Sequence, residues 1–174
     1  QCTSHGGMVG NIYIRGAAGN NTNVGITTFV GAVRQTGNPV FYAVITTSSY
    51  TLTTTQTALV YNTAQVNVGN HYNTSNGRFT VPSGKAGKYY FSFQGMHRST
   101  ANDQTGSGFA FYKNGSIQAE FGSSQFTGHR NDARMYNYIF DLSVGDYIES
   151  YAYVTGSATT SIEKPVFLGY KLIT

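Results

Sequence analysis

Hydrophobic and polar residues alternate with period two along much of this chain, most clearly in Lys88–Phe93 and Tyr147–Val154. That period belongs to strands, whose successive side chains point to opposite faces. Apolar, aromatic and Thr-rich runs extend the strand reading to Val40–Thr46, Ala58–Tyr61, Arg78–Val81, Gly87–Met96, Gly108–Lys113, Ser116–Phe121, Ala133–Leu142, Tyr147–Val154 and Val166–Ile173. No stretch sustains a helical period. Asn76-Gly77 and Asn114-Gly115 predict tight turns with both central residues at positive φ, which Asn and Gly tolerate. The stronger of the two lies between FAFY and IQAEF, where Lys113-Asn114-Gly115-Ser116 reads as a hairpin. Short strands separated by turns predict an all-β fold, a two-sheet jelly-roll sandwich.

The first part of the chain reads differently. Residues 1–38 are rich in Gly and Asn, with Arg15 and Arg34 as their only formal charges. Gly7, Gly10, Gly16, Gly19, Gly25, Gly31 and Gly37 share one three-residue frame, and the last four are six apart. A collagen helix would need Gly at every third position and abundant Pro. Tyr13, Thr22, Thr28 and Arg34 fill the missing positions, which argues against it. The hexads suit an extended stalk or assembly segment, and a flexible linker is the other reading. The expected division is therefore a stalk over 1–38 and a head over 39–174.

Composition narrows the class. Of 174 residues 40% are hydrophobic, enough for a core, whereas only 10% are charged. Soluble domains carry roughly 25% charge, so solubility here rests on Asn, Gln, Ser, Thr and Gly, as in exported or virion proteins. The net charge of +4 is not gathered into a basic stripe, so nucleic acid is not an expected partner. No apolar run reaches the ~20 residues of a membrane span. The chain opens on Gln1, which points to processing or trimming of a longer precursor. Its single cysteine, Cys2, rules out an internal disulfide framework and leaves an interchain disulfide or a free thiol open.

The stretch from Tyr61 to Phe93 carries the most specific pattern. Tyr61, Asn67, Tyr72, Phe79, Gly87, Tyr89, Phe91 and Phe93 resemble the signature of the C1q globular-head family, within the tumour necrosis factor-like jelly rolls. Tyr61 stands where that family usually has Phe, and two extra residues precede Gly87. Pro39–Ala43 looks like the family's first strand, and FYKNG like its central hairpin. Leu142–Ile148, with Gly145 and Asp146, resembles its Leu-x-x-Gly-Asp-x-Val/Ile element. Phe167–Leu172, with Phe167 and Gly169, looks like its closing strand. The resemblance covers roughly residues 39–174 and implies a homotrimer packed through aromatic and apolar strand faces. In physical terms Phe79, Tyr89, Phe91 and Phe93 should fill the space between the sheets. Gly87 should mark a backbone angle or a close approach, and Asp146 a turn in which it binds backbone N–H groups.

No catalytic pattern stands out. G-x-S-x-G, Walker, Rossmann and H-E-x-x-H motifs are absent, so no enzyme is expected. His5, His71, His97 and His129 are scattered, and no pair of carboxylates sits near aromatics. The polar segments Ser99–Ser107 and Gly122–Asn131 read instead as binding loops on a rigid scaffold. Arg98, Asp103, His129, Arg130 and Arg134 are the candidate ligand-binding residues. His97 would join them as a donor to anionic sugars or carboxylates, and Tyr136 and Tyr138 would stack on sugar rings. Calcium occurs in parts of the family, with Asp103 and Asp132 the candidate ligands here. The several acids in one loop that calcium needs are missing, so no cofactor or metal is expected.

The leading expectation is a non-enzymatic, trimeric, extracellular or virion-surface module, a tail-fibre or capsid-decoration head that recognises a surface glycan or protein. Residues 1–38 would attach it to a larger particle. One alternative is a secreted lectin-like member of the family, favoured by Gln1-Cys2 and by sequons at Asn20, Asn73 and Asn114. Another is a structural trimeric cap with no ligand.

Overall fold

Strands dominate because β-branched and aromatic residues alternate with polar ones between Gly- and Asn-bearing turns. The computed structural model describes residues 37–47, 49–99, 106–123, 131–155 and 160–172, all within one unit, 35–174. The expected stalk over 1–38 therefore lies almost wholly outside the described residues. The strands are β1 (Val40–Val44), β2 (Tyr50–Leu52), β3 (Thr57–Ala58), β4 (Thr63–Asn67), β5 (Tyr72–Asn73) and β6 (Arg78–Thr80). They continue as β7 (Gly87–Ser99), β8 (Gly106–Lys113), β9 (Ser116–Ser123), β10 (Asn131–Leu142), β11 (Tyr147–Thr155) and β12 (Thr160–Lys171).

They form two antiparallel sheets. The first runs β10-β7-β12-β1-β4, with β2 beside β12; the second runs β5-β6-β11-β8-β9, with β3 beside β11. The two-sheet jelly roll expected from the sequence is what the chain adopts. Phe41, Tyr89, Phe91, Phe93, Phe140 and Phe167 project inward from the first sheet. Tyr72, Phe79, Phe109, Phe111 and Ile148 meet them from the second, and all are buried. The rings pack tightly: Phe41 lies 4.8 Å from Tyr72 and 5.2 Å from Phe79, and Phe93 lies 4.2 Å from Phe109.

Several expectations needed correction. Ala58–Tyr61 is not a strand as a unit: only Thr57–Ala58 pairs with β11, after which Leu59 and Tyr61 turn into the core. The pairing strand is Thr63–Asn67, whose register shifts opposite Tyr42/Ala43. That irregularity breaks the period-two pattern that would have revealed it. β2 and β5 are too short to show a period. β12 begins at Thr160, earlier than expected, because a shift between Glu163 and Val166 carries the strand past Lys164-Pro165. Asn114 and Gly115 do sit at φ 53° and 77°, as their hairpin requires. Around Asn76-Gly77 only Gly77 has positive φ, and the turn closes by Gly77 N–H on the Asn73 carbonyl at 2.9 Å.

Ring packing dictates where strands carry glycine. A Cβ on Gly169 would stand 2.5 Å from Phe91 and 2.6 Å from Phe41, both buried. Gly169→Ala should therefore cost about 1–3 kcal/mol as overpacking. A lowered thermal unfolding midpoint with retained β-sheet circular dichroism is the expected result.

Candidate functional site

The signature residues build scaffold. Tyr61, where the family usually has Phe, buries its ring completely and places its hydroxyl 2.8 Å from Ser150 Oγ on β11. A buried hydroxyl needs such a partner, and Ser150 makes the departure from Phe tolerable. Asn67 spans the Val68–Asn70 turn: its Nδ2 donates to the Tyr72 carbonyl at 2.8 Å, and its Oδ1 accepts from Tyr72 N–H at 3.0 Å. The two extra residues before Gly87 form a turn with Gly84 at φ 72°. Tyr89 anchors that turn by donating to the Lys85 carbonyl at 2.6 Å. Gly87 itself has φ 132°, the backbone freedom expected of it.

Asp146 also acts as a turn builder. It accepts from Ser143 N–H at 2.8 Å and Asn114 Nδ2 at 2.7 Å, and pairs with Lys113 Nζ at 2.9 Å. Burial alone would raise its carboxyl pKa, but these donors and the lysine charge hold it below the usual range. Both oxygens are engaged, which fits a structural role. The Asn114 sequon is part of the same cluster, since its Oδ1 accepts Tyr147 N–H at 2.9 Å. Asn73, the other described sequon, is exposed, and its Oδ1 closes a local turn on Ser75 N–H at 2.8 Å.

Of the five proposed ligand residues, only Arg98 and Arg134 are among the described residues. Asp103, His129 and Arg130 lie outside the described residues, as does the Asp132 side chain. Arg98 lies within β7 and pairs with Glu163 at 2.7 Å. Arg134 lies on β10 and donates to the Tyr136 hydroxyl at 3.0 Å. The β7–β10 register pairs Arg98 with Asn131 and Gly95 with Arg134, so alternation puts the two arginines on opposite faces. Tyr136 packs on Phe109 and Phe121 at 5.1 and 4.8 Å, while Tyr138 stays partly exposed beside Phe140.

His97 is not at the surface. It is fully buried 4.5 Å from the Phe109 ring, with neither ring nitrogen hydrogen-bonded among the described residues. The sequence suggested a residue following the strand, whereas β7 continues through it. Among the described residues no group of three or more His, Cys, Asp or Glu is placed to hold a metal ion. No described helix is long and apolar enough to cross a membrane.

Two outer faces were not read from the sequence. On the first sheet, Val40, Tyr170, Tyr90 and Ile139 stand side by side on four neighbouring strands, and Tyr90 and Tyr170 have ring centroids 5.2 Å apart. Further along β7, β10 and β12 a concavity of about 540 Å³ is lined by Gln94, Met96, Ala133, Met135, Glu163 and Lys164. On the second sheet, Tyr112 and Tyr151 stack at 3.8 Å, and Arg78 covers the Tyr147 ring at 4.3 Å while bonding Glu149 at 2.9 Å.

Burial, with a smaller contribution from the Arg134 charge, pushes His97 down to about 3 from its ordinary 6.5. The unfolded chain takes up this proton near pH 6.5 and the folded chain does not. The stabilisation is complete above that pH and is lost progressively as pH falls toward 3. His97→Leu should flatten the decline of the unfolding midpoint between pH 6.5 and 3. An unchanged slope would show that other groups govern acid unfolding.

The comparisons agree with this architecture. The C1q domain model matches residues 40–172. Among solved structures, the globular domain of zebrafish complement 1qA protein is similar at TM-score 0.60 and 14% identity, covering 78% of this chain and 98% of that one. Murine APRIL at pH 5.0 is similar at TM-score 0.57 and 14% identity, covering 78% of this chain and 99% of that one. No curated protein matches the chain. C1q- and tumour necrosis factor-like domains are typically non-enzymatic and secreted or extracellular, and they usually form trimers. With its strands, aromatic core and signature residues matched over 40–172, the chain belongs to the C1q domain family.

Proposed function

We propose that this chain is the head of a homotrimer that serves as a non-enzymatic binding or decoration module outside the cell, on a virion appendage or capsid. The observation that carries the reading is the in-register row of Val40, Tyr170, Tyr90 and Ile139. Val40 is 37%, Tyr170 38% and Ile139 55% exposed. A contiguous apolar patch on a domain with so little charge favours a protein contact. Tyrosine suits such a seam because it buries a ring and keeps a hydrogen bond at its tip.

In this reading residues 1–38 tether the head to a larger particle. The segments 99–107 and 122–131, with Arg98, Asp103, His129, Arg130 and Arg134, meet a surface glycan or protein. The low charge, the Gly/Asn hexads and the cysteine-free head support the virion assignment. The secreted lectin-like alternative draws on the exposed Asn73 sequon, and glycan mass on native material separates the two.

Light scattering of the parent protein should give three times the 18.8 kDa chain mass. Ile139→Arg with Tyr170→Arg should give the single-chain mass while keeping the sheet signal. A parent that runs as a monomer at micromolar concentration would sink the trimer. On a glycan array, Arg130→Ala should weaken binding to anionic sugars; a silent parent head would favour the structural cap.

A further inference from the structure

The outer face of the second sheet holds a built aromatic surface that the signature does not require. Along β11 the residues Tyr147, Glu149, Tyr151 and Tyr153 alternate with buried Ile148, Ser150, Ala152 and Val154, so they share the outward face. Tyr153 does not stand up from the sheet. A Cβ on Gly108 would lie 2.2 Å from its Cε1 and Cζ and 2.4 Å from its hydroxyl. A Cβ on Gly122 would lie 2.7 Å from that hydroxyl. The ring therefore lies across β8 with its oxygen over β9, on ground that two strand glycines keep clear.

Its position is fixed by polar contacts. The Tyr153 hydroxyl donates to Glu120 Oε1 at 2.7 Å, and Gln56 Nε2 donates to the same oxygen at 3.0 Å. The Tyr112 hydroxyl donates to Gln56 Oε1, tying the stacked Tyr112–Tyr151 pair into the network. Burial, followed by Glu120, pushes the Tyr153 hydroxyl up to about 12, so it remains a donor. Glu120 is exposed, and its bonds here use Oε1, which leaves Oε2 as an acceptor beside the ring.

We propose that Tyr153 and Glu120, with the Tyr112–Tyr151 stack beside them, form a binding platform for an uncharged pyranose chain. One face of the Tyr153 ring rests on glycine backbone and the other offers the flat apolar surface on which the C–H face of a sugar packs. Glu120 Oε2 and Gln56 supply the acceptor and donor for hydroxyls at the sugar's edge. The carboxylate next to the ring disfavours uronates and sialic acids, which sets this surface apart from the arginine-bearing loops. The proposal deepens the binding reading above and rests on it in taking sugars as ligands. It also rests on the trimer seam lying on the first sheet, which leaves this face free.

The test is calorimetric titration of the intact protein with cellohexaose, mannohexaose and a β-1,4-galactohexaose, with a hyaluronan hexasaccharide as the charged comparison. At least one uncharged hexasaccharide should bind. Tyr153→Ala should weaken it about tenfold or more, and Tyr153→Phe, which keeps the ring, should weaken it less. Glu120→Ala, at an exposed position, gives a second variant should Tyr153→Ala fail to fold; it too should weaken the binding. No binding by any uncharged hexasaccharide at millimolar concentration would overturn the platform. Uncharged-sugar binding that survives both Tyr153→Ala and Glu120→Ala would overturn it while leaving the glycan reading intact. Binding of hyaluronan alone would overturn it in favour of the loops. If no sugar of either kind binds, the glycan reading itself fails with it.

Discussion

The sandwich depends on aromatic rings packed between its two sheets. Phe41 touches Tyr72, Phe79, Phe91 and Phe167, and Phe91 in turn touches Phe79, Tyr89 and Phe140. Each buried ring contributes on the order of 1.5–3 kcal/mol of transfer free energy, and close packing leaves little room for adjustment. The consequence reaches into the strands. Gly169 is bare because Phe91 and Phe41 occupy its side-chain space, and Gly95 because Ile162 does. Rings and glycines are thus two aspects of one packing solution.

Polar groups enter this interior at few points. Tyr61 brings a hydroxyl that Ser150 of β11 satisfies. On the outer face of the second sheet Glu149 is 4% exposed and bonds Arg78 through one oxygen, while its other oxygen has no partner among the described residues. His97 is buried as a neutral ring against Phe109, with no hydrogen bond among the described residues. The charges that build structure sit at the rim. Lys113, Asn114 and Asp146 lock the hairpin between β8 and β9 to the turn before β11, which places β8 against β11 in register.

The two outward surfaces divide the chemistry. The first sheet presents aliphatic and tyrosine side chains in one cross-strand row, the character of a surface that meets another protein. The second presents tyrosines whose hydroxyls and neighbouring carboxylates are tied together, as in the Tyr112, Gln56, Glu120 and Tyr153 network. Strand alternation generates both: the same strands that expose one set of side chains bury the rings that hold the sheets together.

The sequence by itself determined the fold class, the family and most of the long strands. Alternation, Asn-Gly turns and spaced aromatics are local signals, visible within a few residues of one another. It also located the core rings Phe79, Tyr89, Phe91 and Phe93, and the turn role of Asp146. It missed Thr63–Asn67 because an irregular register broke the alternation, and it placed His97 at a surface because nothing local says where β7 stops. Only the tertiary structure decided which long-range partners meet. Ser150 lies opposite Tyr61, Glu163 pairs with Arg98, and Tyr153 rests on Gly108 and Gly122. Each of these contacts joins strands far apart in the chain, and cross-strand register is set by the packing of the whole sandwich rather than by any single segment.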